Sequence, residues 1–243
     1  MSGAVVVMIA ETLDAIHLKI AETCTRSGRN PIDVALMGVS KNQPPAAVEE
    51  AARAGLRLFG ENRVQEAKGK IPQCPGSLSW HMIGHLQSNK CRDAVALFDV
   101  IQGVDSLGLA EELNKAAEKQ TKTLKILIEV NVAGEASKFG YKHEAVLADL
   151  ESIMRLSRLE LHGLMTIAPY SPLPERARPF FRALRELRDR CQERVGVPLP
   201  VLSMGMSGDF EVAIEEGSTL VRIGTALFGD RPKIRSGTDN PGL

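Results

Sequence analysis

Short apolar runs alternate with amphipathic stretches along most of this chain. The first run lies within Val34–Lys41 and is stopped by Pro44 and Pro45, which predicts a strand buried on both faces, as in parallel sheets. Apolar residues at helical spacing over Ile9–Cys24 predict a helix ahead of it. The alternation then repeats to the end of the chain. The predicted strands are Val34–Lys41, Leu56–Phe59, Ser79–Ile83, Val100–Gln102, Leu124–Val132, Leu159–Ile167, Val201–Met204 and Leu220–Ile223. The predicted helices between and after them are Ala46–Ala54, Arg63–Lys70, Ser88–Leu97, Leu107–Lys119, Glu144–Arg155, Glu175–Arg194 and Asp209–Glu216, with Gly224–Gly229 leading to a last short helix or the tail.

Eight strands that alternate with helices imply a parallel sheet, and their number is that of an α/β (β/α)8 TIM-type barrel. Such barrels use roughly 250 residues, and this chain has 243. We therefore predict a single-domain barrel over residues 1–230 with an extra N-terminal helix, and a disordered tail over residues 231–243. A doubly wound open sheet is the alternative. It would need a glycine-rich turn after the first strand, and 40–43 is not one.

Composition and charge narrow the possible partners. The 30 Lys and Arg residues balance the 30 Asp and Glu residues, so no basic surface indicates nucleic acid. The apolar run Ala4–Ala10 is too short to span a membrane and lacks the cationic start of a signal peptide. The 4 cysteines are scattered without a C-x-x-C pair, which favours reduced thiols in a cytoplasmic protein. His81 and His85 have zinc-ligand spacing, but Gly84 interrupts them and we predict no metal site.

The candidate chemistry lies where the predicted strands end, because ligands of barrel proteins bind at the carboxyl ends of the strands. Lys41 follows the first strand there, and a lowered pKa would make its amine a nucleophile. The alternative is a lysine that extends from the strand end into solvent. The side chains expected to share this end of the barrel are Lys41, Asn62, His81, Asn131, Met165, Thr166, Ser203, Ser207 and Arg222.

The last two strands are followed by glycine-bearing loops. Ser203–Asp209 leads into a helix that Ser207 or Gly208 would cap, and Arg222–Thr225 follows the same pattern after the eighth strand. Barrels often bind phosphate with these two loops. The alternative is that the glycines only permit tight turns.

A lysine amine beside a phosphate site suggests an imine with pyridoxal phosphate (PLP). An arginine against the pyridine nitrogen, which we suggest for Arg222, cannot accept that nitrogen's proton, so carbanion stabilisation would be weak. A surface ion pair of Arg222 with Glu215 or Glu216 is the alternative.

Several segments together resemble one family, the pyridoxal phosphate homeostasis proteins (the YggS/PROSC family), which are related in fold to the barrel domain of alanine racemase. The segments are Val39–Lys41, Phe59–Asn62, Trp80–Gln87, His162–Thr166, Leu202–Ser207 and Val221–Thr225. The resemblance implies that Lys41 carries the cofactor as a Schiff base. It also implies phosphate contacts at Ser207, Gly224 and Thr225 and places Arg222 near the pyridine nitrogen. It implies that Asn62, His81 and Ser203 lie around the ring.

Three functions are compatible with these features. We expect a PLP-binding protein of intracellular PLP homeostasis without efficient catalysis, acting as a monomer that supplies PLP-dependent apoenzymes. A PLP-dependent amino-acid racemase is the alternative, but two-base racemisation needs an acid/base group on each face of the ring. In alanine racemase a separate β domain supplies one of them as a tyrosine. Here only the short tail 230–243 follows, and Tyr170 is the one internal candidate. A barrel for another phosphorylated metabolite is the third possibility.

Overall fold

Eight parallel strands close into one barrel, and each strand pairs with its neighbours in chain order. The computed structural model describes residues 3–135 and 138–229. Its strands are β1 (Ala35–Val39), β2 (Leu58–Glu61), β3 (Ser79–Met82), β4 (Val100–Val104), β5 (Leu124–Glu129), β6 (Leu159–Met165), β7 (Val201–Ser203) and β8 (Leu220–Ile223). Closure comes from the pairing of β1 with β8, in which Ala35 lies opposite Leu220. The predicted (β/α)8 fold class is confirmed. The predicted tail 231–243 lies outside the described residues, so the domain bounds stay a prediction.

Helices surround the barrel. They are α1 (Gly3–Arg26), α2 (Pro45–Arg53), α3 (Val64–Lys70), α4 (Cys91–Leu97), α5 (Leu107–Lys119), α6 (His143–Met154), α7 (Arg178–Val195), α8 (Phe210–Glu215) and α9 (Thr225–Phe228). Short 3-10 turns occupy Pro31–Asp33, Ile71–Gln73, Ser88–Lys90 and Pro174–Ala177. α1 is the predicted extra helix, and it buries Leu13, Ile16 and Ile20 against the barrel's outer layer. Among the described residues, no helix is both long and apolar enough to cross a membrane.

Several element ends differ from the predicted ones for local reasons. β5 ends at Glu129 and not Val132, because Val130 forms only an isolated bridge with Tyr141 and the chain then turns into a loop. The predicted helix 175–194 begins with a 3-10 turn, and α7 starts at Arg178 with Pro179 in its first turn, where a missing N–H costs nothing.

The hydrophobic core has two parts. The larger part lies between the strands and the helices. The smaller part consists of two clusters that fill the barrel interior, Met37, Ile83 and Leu220 in one and Val100, Leu127 and Met165 in the other.

The register of β6 against β5 shifts next to Gly163, which has φ of +157°. A Cβ at Gly163 would collide with the carbonyl of Val201 on β7, so this close approach requires glycine.

Candidate functional site

A cavity of about 730 Å3 opens at the carboxyl ends of the strands. We call it the mouth cavity. Six of the eight predicted site residues line it: Lys41, Asn62, Ser207, Arg222, Gly224 and Thr225. The other lining residues are Val39, Ile83, Gly84, His85, Glu129, Val130, Asn131, Lys138, Phe139, Ile167, Tyr170, Met206 and Gly208. Ser203 and His81 lie elsewhere.

Lys41 stands in a turn directly after β1. Ser40, before it, is fully buried and its N–H donates to Gly60 O of β2 at 3.1 Å. Asn42, after it, has φ of +62° and its N–H donates to Glu66 Oε1 at 2.6 Å. Asparagine tolerates this left-handed conformation better than most residues do. Both neighbours therefore hold the backbone of Lys41 in place.

A buried ionic cluster lies directly behind that turn. Lys70 Nζ donates to Ser40 O, Glu61 Oε1 and Glu66 Oε1, each at 2.7 Å. Ser40 Oγ donates to the same Glu61 oxygen at 2.7 Å. The side chains of Lys70 and Glu61 are 5% and 0% exposed, so neither charge has water to replace its partner. This Lys70 cluster (Ser40, Glu61, Glu66 and Lys70) ties α3 and β2 to the carboxyl end of β1.

The loops after the neighbouring strands β7 and β8 both line the mouth cavity. Ala226 N–H donates to Ser207 Oγ at 3.3 Å and so joins the two loops. The prediction that Ser207 or Gly208 caps the helix is wrong. Asp209 precedes α8, and its carboxylate accepts the Met206 N–H at 2.6 Å, so residues 206–209 form a turn before the helix begins.

Arg222 lies inside the barrel and is 3% exposed. Its Nη1 donates to Ser203 Oγ and its Nη2 to Thr166 O, both at 2.7 Å. Burial lowers the pKa of Arg222 to about 10, which still leaves the guanidinium charged at neutral pH. The alternative of a surface ion pair is wrong, because Glu215 and Glu216 instead pair with arginines of α7 such as Arg178.

From Arg222, hydrogen bonds continue through the barrel interior towards the amino ends of the strands. Ser203 Oγ donates to Gln102 Oε1 at 2.6 Å, and Gln102 Nε2 contacts His81 Nδ1 at 2.8 Å. We call Arg222, Ser203, Gln102 and His81 the interior chain. Burial lowers the pKa of His81 to about 4, so its ring is neutral and Nδ1 accepts from Gln102.

The expectation that His81 shares the mouth with Lys41 is therefore wrong. His81 lines a second, mainly apolar cavity of about 160 Å3 at the amino ends of the strands, beside Ala35 and Val201. The reason is its place within β3: the chain reaches the mouth only two residues later, at Ile83 and Gly84. Ser203 lies between the two cavities and contacts the site through Arg222.

Sequence analysis missed Glu129, the last residue of β5. It is 7% exposed, lines the mouth cavity, and its Oε2 has no hydrogen-bond partner among the described residues. Burial and the nearby Asp105 raise the pKa of Glu129 to about 7, while Arg222 acts against this shift. The sequence contained one indication of this site residue, namely a charged side chain that ends an apolar run.

Asn131 lies in the mouth cavity as predicted. In the described part of the chain, no three His, Cys, Asp or Glu side chains are grouped to hold a metal ion.

Comparison with known proteins first defines the class of protein to which this chain belongs. Residues 12–232 match the family described as alanine racemase, N-terminal domain. An alanine racemase from Clostridium difficile shares this fold at 15% identity with a TM-score of 0.72, covering 93% of this chain and 58% of that one.

Two closer relatives narrow the class. A "Pyridoxal phosphate homeostasis protein" from Aquifex aeolicus is 46% identical over 222 residues, which is 91% of this chain and 97% of that protein. The structure of PipY from Synechococcus elongatus with PLP bound is 39% identical, covers 91% of this chain and all of that one, and has a TM-score of 0.80. The chain belongs to the pyridoxal phosphate homeostasis proteins, a branch of the alanine racemase N-terminal domain family.

Proposed function

We propose that this protein binds PLP in the mouth cavity, holds it as a Schiff base on Lys41, and takes part in intracellular PLP homeostasis without efficient catalysis. The observation that carries the proposal is that Lys41 and the buried Arg222 line one cavity together with the loops after β7 and β8. Its volume of about 730 Å3 lies within the range of small-molecule sites.

The residues present fit the chemistry of the cofactor. Ser207 and Thr225 offer hydroxyl donors, and the glycines 208 and 224 leave their backbone accessible to an anion. A Cβ at Gly208 would meet nothing within 4 Å, so that side of the loop is open space. We assign the phosphate to Ser207, Gly224 and Thr225, and the aldehyde carbon to the Lys41 amine. Asn62 lines the same cavity and stays a candidate contact to the ring.

Arg222 determines whether the pyridine nitrogen of a bound ring is protonated and therefore how well the ring accepts electrons. Two of its nitrogens are occupied by Ser203 and Thr166, which fixes the plane of the guanidinium. Because it keeps its proton, it supplies a positive donor to the pyridine nitrogen and cannot protonate it. A neutral ring is a poor electron sink. This supports binding and delivery over turnover, as the names of the close relatives do.

The racemase alternative is not favoured. Its internal candidate base, Tyr170, is 92% exposed at the rim of the mouth cavity. A base in that position is surrounded by water, whereas proton abstraction next to the ring needs a positioned group in a shielded site.

Three further statements belong to the proposal. PLP-dependent apoenzymes receive the cofactor from the mouth cavity, the protein acts as a monomer, and it works in the cytoplasm. The four cysteines support the last statement, since all are free thiols and three of them are buried.

The experiment is absorbance spectroscopy of the purified protein with added PLP, before and after borohydride, followed by peptide mapping. A band that borohydride abolishes, with the mass of reduced PLP on Lys41, supports the proposal. A mass on another lysine overturns the site. A protein that takes up no PLP overturns the function and favours a barrel for another phosphorylated metabolite. Turnover of added amino acids at rates typical of enzymes would favour the racemase.

A further inference from the structure

Two buried side-chain oxygens on one side of the mouth cavity have no hydrogen-bond partner among the described residues. They are Glu129 Oε2 and Asn131 Oδ1. Residues i and i+2 of an extended segment project to the same face, and both side chains line this cavity from the end of β5. Buried polar atoms are nearly always satisfied by the protein or by a bound molecule, so we expect these two oxygens to take a partner from outside the described residues.

The missing partner must be a donor. Asn131 Nδ2 donates to Glu135 O at 2.8 Å and to Lys138 O at 3.2 Å, so its amide cannot be turned around without losing both bonds. The atom of Asn131 left without a partner among the described residues is therefore the acceptor Oδ1. When Glu129 is ionised, both of its carboxylate oxygens accept and neither donates. A group with several donors and no acceptor would satisfy both residues, and a primary ammonium is such a group.

Charged groups on the neighbouring elements set the protonation of Glu129. Asp105, after β4, bonds to His85 at 2.9 Å, and Arg222 lies on β8. Lys41 and Lys138 line the same cavity. Burial and Asp105 together raise the pKa of Glu129 to about 7, so this carboxyl can take up or release a proton near neutral pH.

We infer that Glu129 and Asn131 form a subsite for a primary ammonium group, that of the amine which takes the cofactor from Lys41. The inference rests on the proposed function, because it names the class of acceptor that the same site serves. The amine is a small-molecule amine or the lysine side chain of a recipient protein, since both present the same group.

The step balances without an outside reagent. Glu129 carboxylate removes one proton from the ammonium and leaves a neutral amine. The amine nitrogen would form a double bond to the carbon held by Lys41, its two remaining protons would pass to Lys41 Nζ, and the double bond between that carbon and Lys41 Nζ would break. Lys41 leaves as an amine that takes the proton from Glu129. One carbon–nitrogen bond replaces another, and nothing is oxidised or reduced.

The first test uses the cofactor-free protein labelled with 13C at the glutamate carboxyls and titrated with n-propylamine. The uncharged n-propanol, of similar size, is the control ligand. We expect n-propylamine to shift the Glu129 resonance in a saturable manner and to lower the pKa of Glu129, because a bound cation favours the carboxylate. We expect n-propanol to do neither. Binding of n-propylamine, followed by isothermal titration calorimetry, should disappear in Glu129→Gln and persist in Glu144→Gln, which removes an exposed carboxylate on α6.

The second test loads the same variants with PLP and follows the loss of the Lys41-bound absorbance after n-propylamine is added. We expect Glu129→Gln to slow this loss by roughly a hundredfold relative to the parent and to Glu144→Gln, as for removal of a general base, when each rate is referred to the amount of PLP loaded on that protein. Loading on Lys41 with equal displacement rates in Glu129→Gln and the parent would overturn the subsite and leave the proposed function standing. An amine that shifts Glu129 in a protein that never loads PLP would overturn the proposed function and the amine's role in transfer, leaving only an ammonium site.

Discussion

Arg222 Nη1 donates to Ser203 Oγ at 2.7 Å deep inside the barrel, where Arg222 is 3% exposed and Ser203 fully buried. Ser203 in turn donates to Gln102, and Gln102 to His81, so this series of hydrogen bonds runs from Arg222 away from the mouth. The orientation of the guanidinium therefore depends on Gln102, which does not line the mouth cavity. Gln102 is a positioning residue in this arrangement.

The first prediction concerns Gln102→Leu. This change leaves the Ser203 hydroxyl without its acceptor, at a cost of about 1–3 kcal/mol, and frees the guanidinium to turn. We expect PLP to bind about tenfold more weakly or worse and its absorbance maximum to move, both measured by titration of the purified protein. Gln102→Glu keeps an acceptor for Ser203 and should restore most of both properties. If Gln102→Leu lowered only the thermal stability and left affinity and spectrum unchanged, Gln102 would not position Arg222.

The interior chain also shows where sequence-based prediction stops. The strand pattern was sufficient for the barrel, because apolar periodicity and the strand number follow from local sequence. It placed Lys41 and Arg222 correctly at one cavity, since the carboxyl ends of parallel strands meet. It failed for His81, because a difference of two residues along β3 decides between the mouth and the opposite end of the barrel. Such depth depends on strand tilt and register, which short apolar runs do not specify.

The second prediction is that Lys41→Ala abolishes the borohydride-reducible adduct and leaves the fold intact. Lys41 lines the mouth cavity and is not part of any of the three core clusters. Non-covalent PLP should still bind through Ser207, Gly224 and Thr225, more weakly than in the parent. Mass spectrometry after borohydride, fluorescence titration and circular dichroism measure the three properties. An unfolded variant would show that Lys41 is structural and that the site assignment is wrong.

The third prediction concerns the Lys70 cluster behind the Lys41 turn. Lys70→Met removes the cation and leaves the buried Glu61 carboxylate without its ion pair, which typically costs about 3–5 kcal/mol. We expect a loss of that size in urea unfolding, together with a weaker Schiff base because Ser40 O also loses its donor. The double variant Lys70→Met/Glu61→Gln removes the uncompensated charge and should recover part of the stability. Equal stability of the single and double variants would contradict this explanation.

Sequence analysis could not have found that cluster. Lys70 lies 30 residues from Ser40 and ends a helix of mixed polarity, where a solvent-exposed lysine is the ordinary expectation. Its burial follows from the packing of α3 on β2, a tertiary relationship that no local pattern specifies. Glu129 is an intermediate case. The sequence shows a carboxylate at the end of a buried strand, but it does not show that one oxygen of this carboxylate lacks a hydrogen-bond partner among the described residues.

The last prediction concerns pH and Glu129. Burial raises its pKa to about 7 from an ordinary value of 4.5, so between these limits the folded state binds more protons than the unfolded state. Stability then falls as pH rises through this window, by on the order of 3 kcal/mol for this residue. Glu129→Gln removes the ionisation. We therefore expect the variant to gain stability relative to the parent between pH 4.5 and pH 8, measured by urea unfolding of the cofactor-free proteins.

His81 titrates in the opposite sense, which makes the comparison between variants essential. Because burial lowers its pKa to about 4, its contribution to stability is lost as pH falls below the ordinary 6.5. That contribution is present in both the parent and Glu129→Gln, so it cancels in their difference. Glu144→Gln serves as the matched control, since it makes the same chemical change at an exposed position on α6. A Glu129→Gln difference that does not change with pH would show that Glu129 stays ionised across the whole range, and its carboxylate would then be too weak a base to take the ammonium proton near neutral pH.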